Sequence, residues 1–178
     1  GRPYGVQVTS TAGGIAKGRL YMHDIKMFQH ITIGDSDNST YDSDHTSLHK
    51  GVYVAGEEIK ATLVATKELF PEKNITVVFQ PHLYSRTRDF AAEFGDSLSL
   101  ADEVLLLDIY PAREMPIEGV NSEMLLTQVV NCEKSLLKKS DLVEELTNPK
   151  RELLLTLGAG DIDQFVEPLK YYYVNEMD

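Results

Sequence analysis

A histidine, a tyrosine, a serine and two arginines crowd into one short run, Gln80-Pro81-His82-Leu83-Tyr84-Ser85-Arg86-Thr87-Arg88. These side chains suit recognition of an anion. A planar guanidinium such as that of Arg86 can grip a carboxylate through two parallel bonds, worth roughly 1.5–3 kcal/mol as charge-assisted hydrogen bonding. The run follows Ile75-Thr76-Val77-Val78, a β-branched apolar stretch that predicts a buried strand. It precedes Phe90, Phe94 and Leu98, spaced one helical turn apart. The chemistry-bearing group therefore falls in a strand-to-helix turn. In an open α/β sheet such turns line the carboxyl edge, where ligands bind, and helix N-termini there favour anions.

Two further stretches belong to the same edge. Asp108-Ile109-Tyr110-Pro111-Ala112-Arg113-Glu114 follows the apolar run 104–107, and Gly158-Ala159-Gly160-Asp161 follows Leu153-Leu154-Leu155-Thr156-Leu157. Taken singly, each residue has a plain structural use. Gly158 and Gly160 make a tight turn, Asp161 caps a helix, Arg113 and Glu114 face solvent, Tyr84 and Tyr110 pack with a wet hydroxyl, and His82 bonds a backbone carbonyl. Three such turns on one edge point instead to a site built from His82, Tyr84, Arg86, Arg88, Tyr110, Glu114, Gly158, Gly160 and Asp161, with Arg113 as a further cation.

The elements that must position these residues alternate. Strands are expected at 52–54, 75–79, 104–109, 135–137 and 153–157, and helices at 57–70, 87–100, 121–130, 141–146 and 161–174. Strand–helix alternation predicts an α/β fold, a Rossmann-like, mostly parallel sheet with helices on both faces. Residues 51–178 are expected to form this domain. Residues 1–50 read as a short β-rich and loop segment upstream, with strands near Val6–Val8 and Ile25–Ile33.

Composition narrows the function classes. The chain has 178 residues and a net charge of −11, which disfavours a general nucleic-acid binder. It has no apolar run long enough to span a bilayer and no start resembling a signal peptide, so no membrane partner is expected. Its single cysteine, Cys132, cannot form an internal disulfide, in keeping with a cytoplasmic location. Gly13 and Gly18 have the outer spacing of a P-loop, but Arg19-Leu20 follow where Lys and Ser or Thr are required. The acidic loop 34–45 lacks the central Gly and closing Glu of a calcium-binding EF-hand loop. Asp42, Asp44, His45 and His49 could ligate a metal if helical, although a solvated loop is the default and no metal site is expected.

The Gln80–Asp89 motif resembles one in the C-terminal domain of the Mur ligases that join L-alanine to UDP-N-acetylmuramate in peptidoglycan synthesis. Leu107-Asp108-Ile109-Tyr110-Pro111-Ala112 with Glu114, Ile117 and Gly119 resembles a second motif, and Leu157-Gly158-Ala159-Gly160-Asp161-Ile162 a third, so the likeness runs from about Val52 to Lys170. The resemblance implies a Rossmann-like domain that closes over a central ATP-binding domain. It also implies an ATP-dependent, amide-forming reaction in which the muramoyl carboxylate is phosphorylated and the amine of L-alanine attacks the acyl phosphate. By the same resemblance Arg86 grips the alanine carboxylate and His82 lines its pocket. ATP, Mg²⁺ and UDP-N-acetylmuramate would engage domains this sequence does not contain, and no cofactor or metal is expected for this domain alone.

The sequence departs from the pattern in two places. Leu83 stands where many members carry an Arg. The second strand normally runs into Asp-Asp-Tyr-(Ala or Gly)-His-His-Pro, whereas Val52-Tyr53-Val54 here passes directly into Ala55-Gly56-Glu57-Glu58-Ile59. The chain alone is therefore expected to show no ligase turnover, since phosphoryl transfer depends on a positioned Mg²⁺ and Lys. The competing expectation is a folded, non-catalytic interaction module that has lost the substrate site.

Overall fold

The computed structural model describes residues 4–6, 18–23, 26–32, 46–149, 151–158 and 160–175, with side chains described for 56, 59–149, 151–158 and 160–173. The strands are β1 (Tyr4–Val6), β2 (Gly18–His23), β3 (Lys26–Thr32), β4 (Ile75–Gln80), β5 (Glu103–Leu106), β6 (Glu133–Leu136) and β7 (Leu153–Gly158). The helices are α1 (Thr46–Leu69), α2 (Tyr84–Asp89), α3 (Ala91–Leu98), α4 (Ser122–Gln128), α5 (Leu142–Thr147) and α6 (Val166–Asn175). Short 3₁₀ turns at Lys139–Asp141 and Asp161–Phe165 lead into α5 and α6.

The described strands form one sheet in the order β1-β2-β3-β7-β4-β5-β6. The pairings from β3 through β7, β4 and β5 to β6 are parallel, and the β1–β2–β3 pairings are antiparallel. The expected α/β sheet with a β-rich N-terminal segment is thus observed. β3 joins the sheet beside β7, and α1 runs through residue 50.

Alternation along each strand loads two cores. Ile75, Val77 and Phe79 of β4, with Leu153, Leu155 and Leu157 of β7, face Ile59 and Leu63 of α1, Phe94 and Leu98 of α3 and Leu125 of α4. Val78 and Leu154 point the other way, toward Leu142 and Leu146 of α5 and Leu169 and Tyr173 of α6. Every residue of β4 and β7 is buried, as expected of central parallel strands covered on both faces.

Two local expectations are corrected. Val52-Tyr53-Val54 is not a strand but lies inside α1. Its β-branched residues suit either state, because strand preference depends on having a sheet position to fill. The position beside β7 is filled by β3, and the segment continues the helical pattern of Ile59, Leu63 and Thr66. The expected helix 87–100 is two helices, beginning earlier at Tyr84 and broken at Phe90, where φ is −120° and ψ 20°. Consequently Tyr84, Ser85, Arg86 and Arg88 sit on α2 itself rather than in a turn before it.

Candidate functional site

β4 ends at Gln80, and the backbone beyond it is fastened to the loop after β5. Tyr110 N–H donates to the Pro81 carbonyl at 2.8 Å, and Leu83 N–H donates to the Tyr110 carbonyl at 2.9 Å. This extends the parallel pairing as a bridge between His82 and Tyr110, whose rings stack with centroids 5.7 Å apart. Leu83 then turns the chain into α2 with a φ of +67°. That region is uncommon for a residue with a Cβ and is retained where surrounding bonds over-determine it.

Glu114, in the loop after β5, accepts from Ser85 twice: from the backbone N–H at 2.9 Å and from the hydroxyl. Burial pushes the Glu114 carboxyl up, but the hydrogen bonds from Ser85 and Tyr84, with the charge of His82, hold it below the usual carboxylate range.

Gln80, fully buried, clasps the turn after β7 with both ends of its amide. Nε2 donates to Asp161 Oδ1 at 2.8 Å, and Oε1 accepts from Ile162 N–H at 3.0 Å. Gly160 packs so closely that a Cβ there would lie 2.5 Å from Gln80 Oε1 and 2.7 Å from the Tyr110 ring base. Its lack of a side chain is a requirement of this approach.

Lys139, absent from the sequence-derived set, completes the edge. It reaches Asp161 Oδ1 at 2.5 Å and lies 5.8 Å from the Tyr110 ring centroid. It enters from the turn after β6, a strand whose residues are all exposed. The signal that could have found it is topological: β6 is parallel to β5, so its carboxyl end opens on the same edge.

The expected residues therefore divide. His82, Tyr110, Gly158, Gly160 and Asp161 converge with Gln80 and Lys139, and Glu114 is tied to the start of α2, which carries half-buried Tyr84 and Arg86. Arg88 is exposed and pairs with Asp89 at 2.7 Å, and Arg113 is exposed. Asp42, Asp44 and His45 lie outside the described residues, as does the side chain of His49. Among the described residues, no group of three or more His, Cys, Asp or Glu comes together as a metal-ligand set.

Asp161 supplies a pH prediction. Burial raises its pKa, but the bonds from Lys139 and Gln80 outweigh burial and leave it lowered. A lowered carboxylate stabilises the fold above its unfolded value, roughly pH 4, and that contribution is lost as pH falls through the folded value. Asp161→Asn is expected to be less stable at pH 7 and to lose stability more gradually below pH 4 than the unaltered chain. Urea midpoints at stepped pH check this, and parallel curves would contradict it.

No family model matches the chain. The UDP-N-acetylmuramate–L-alanine ligase of Cytophaga hutchinsonii is 50% identical over 113 residues, covering 64% of this chain and 24% of the ligase. That of Christiangramia forsetii is 49% identical over 119 residues, covering 67% of this chain and 26% of the ligase. The chain belongs to this Mur ligase family. It matches the C-terminal part of these ligases and spans about a quarter of their length. The crystal structure of the Thermotoga maritima UDP-N-acetylmuramate–alanine ligase superposes with a TM-score of 0.52 over 84% of this chain and 27% of that one, at 23% identity, which supports the fold. Among the described residues no helix is long and apolar enough to cross a membrane.

Proposed function

We propose that the carboxyl edge of this sheet is the amino-acid site of an ATP-dependent ligase that adds L-alanine to UDP-N-acetylmuramate. The observation that carries the reading is the convergence of the loops after β4, β5, β6 and β7 around His82 and Tyr110, beside a helix that carries Arg86. Arg86 takes the alanine carboxylate through its guanidinium, and His82, stacked on Tyr110, forms a wall of the pocket. Glu114, Asp161 and Gln80 are occupied in cross-linking the loops and hold the site's shape rather than react. ATP would supply the phosphoryl group that activates the muramoyl carboxylate. ATP, Mg²⁺ and UDP-N-acetylmuramate belong to the part of the ligase that this chain does not match, so the chain alone has no turnover. The reaction belongs to the cytoplasm, where its nucleotide substrates are found.

A hybrid ligase tests this reading. Residues 57–174 would replace the corresponding stretch of the Cytophaga hutchinsonii enzyme, which keeps its own upstream sequence. Alanine-dependent phosphate release is expected from the hybrid. Arg86→Ala in that hybrid should raise KM for L-alanine about 10- to 100-fold, the equivalent of losing a bidentate charge-assisted contact. A folded hybrid without alanine-dependent turnover would support a non-catalytic interaction module, the reading favoured by Leu83 and by the absent Asp-Asp-Tyr-x-His-His-Pro segment. Turnover by the unfused chain would contradict its assignment as inactive alone.

A further inference from the structure

The first turn of α2 needs a cap that its own sequence does not provide. The first N–H groups of a helix have no intrahelical acceptor, and a leucine at the N-cap position has no side-chain oxygen to offer them. Leu83 makes no side-chain cap bond. The acceptor comes instead from another strand's loop. One Glu114 carboxylate takes the N–H and the hydroxyl of Ser85, 29 residues away in sequence.

The loop that carries Glu114 is itself held in place. Glu114 N–H donates to the Pro111 carbonyl at 2.9 Å, and Tyr110 is bonded on both sides, to Pro81 and to Leu83. A closed set of bonds thus joins the end of β4, the loop after β5 and the start of α2. Arg86 follows Ser85 in the same helical turn, so the rotation of α2 that sets Ser85 against Glu114 also sets the direction of Arg86.

We infer that Glu114 is a positioning residue: by clasping Ser85 it fixes the rotation of α2 and, with it, the direction in which the next residue, Arg86, extends. The consequence for ligand binding rests on the amino-acid reading above, whereas the orientation of Arg86 does not. Glu114 acts through Ser85 and need not touch the ligand. Among the charged groups bearing on its carboxylate are His82 and Arg88.

The test uses the full chain, isotopically labelled, with Glu114→Gln, Ser85→Ala and Ser85→Thr. Threonine keeps both donors and alanine keeps only the backbone one, so Ser85→Ala remains informative if Glu114→Gln does not fold. The Ser85 amide resonance of the unaltered chain should titrate with a midpoint below the usual glutamate range, and this titration should be absent in Glu114→Gln. The Arg86 side-chain Nε–Hε resonance should shift in Glu114→Gln and Ser85→Ala and return to its original position in Ser85→Thr. L-alanine affinity should fall about tenfold in Glu114→Gln, in line with the loss of one strong hydrogen-bonded clasp. An unmoved Arg86 resonance in a folded Glu114→Gln or Ser85→Ala variant would overturn the positioning role. Absence of L-alanine binding by the unaltered chain would count against the amino-acid reading, with the Arg86 resonance still deciding the clasp.

Discussion

Gly160→Ala is expected to destabilise the domain and abolish ligand binding at the sheet edge together. The new methyl would lie 2.5 Å from Gln80 Oε1 and 2.7 Å from Tyr110 Cβ and Cγ. Neither neighbour is free to yield. Gln80 is fully buried with both amide ends bonded, and the Tyr110 backbone is bonded to Pro81 and Leu83. Overpacking of this kind costs about 1–3 kcal/mol, and parting Gln80 from a partner adds about 1–3 kcal/mol for a buried polar group left unsatisfied. A loss of about 2–6 kcal/mol is expected, seen as a Tm lower by roughly 4–24 °C for a domain of this size. Gly56→Ala is the matched control. A Cβ there meets only Glu93 Cβ at 3.6 Å, an ordinary contact on a helix, so that variant should be neutral or gain up to about 1 kcal/mol. Equal melting temperatures for the two variants would contradict the close approach at Gly160.

The second large effect lies at the opposite end of the sheet. Arg151, just before β7, grips Glu103 at the start of β5 with Nε at 2.8 Å and Nη2 at 2.9 Å. It also donates to the Glu145 and Pro149 carbonyls and to the Glu145 carboxylate. Thr76 bonds the same Glu103 carboxylate at 2.7 Å. The Arg151 and Glu103 side chains are only 11% and 20% exposed, so the pair is well shielded from water. Removing one partner of a buried pair typically costs about 3–5 kcal/mol. With Glu103 partly in contact with water, Arg151→Met should cost roughly 2–4 kcal/mol. Burial raises the Glu103 pKa, yet the bonds from Arg151 and Thr76 leave it lowered, so the pair's contribution persists at neutral pH and is lost in acid. Urea unfolding of Arg151→Met, Glu103→Gln and the double variant measures the coupling directly. A loss below about 1 kcal/mol would mean the network is incidental. Because these residues lie at the amino ends of the strands, folded Arg151→Met should still bind ligand, whereas Gly160→Ala should not.

The contrast shows what the sequence carried and what it did not. β4, β5 and β7 announce themselves as apolar runs because both faces are covered, and the three polar turns that follow them come together on one edge of the sheet. Val52-Tyr53-Val54 misled because a β-branched triplet says nothing of whether a sheet position is open to it. The start of α2, residues 84–86, is not legible as helix because it is capped by Glu114, a partner distant in sequence. Lys139 was missed because β6, an exposed edge strand, lacks the apolar signature that would have directed attention to the turn after it. Local pattern located the turns, and the long-range bonds of Gln80, Glu114 and Lys139 that join them became visible only once the sheet was assembled.

The most direct measurement is a heteronuclear NMR titration of the chain with L-alanine, alongside Arg86→Ala. An amino-acid site on this edge requires saturable shifts confined to residues 80–88 and to the adjoining turns at 108–114 and 158–162, with their loss in the variant. Shifts that persist unchanged in folded Arg86→Ala, or that map to another surface, would contradict it.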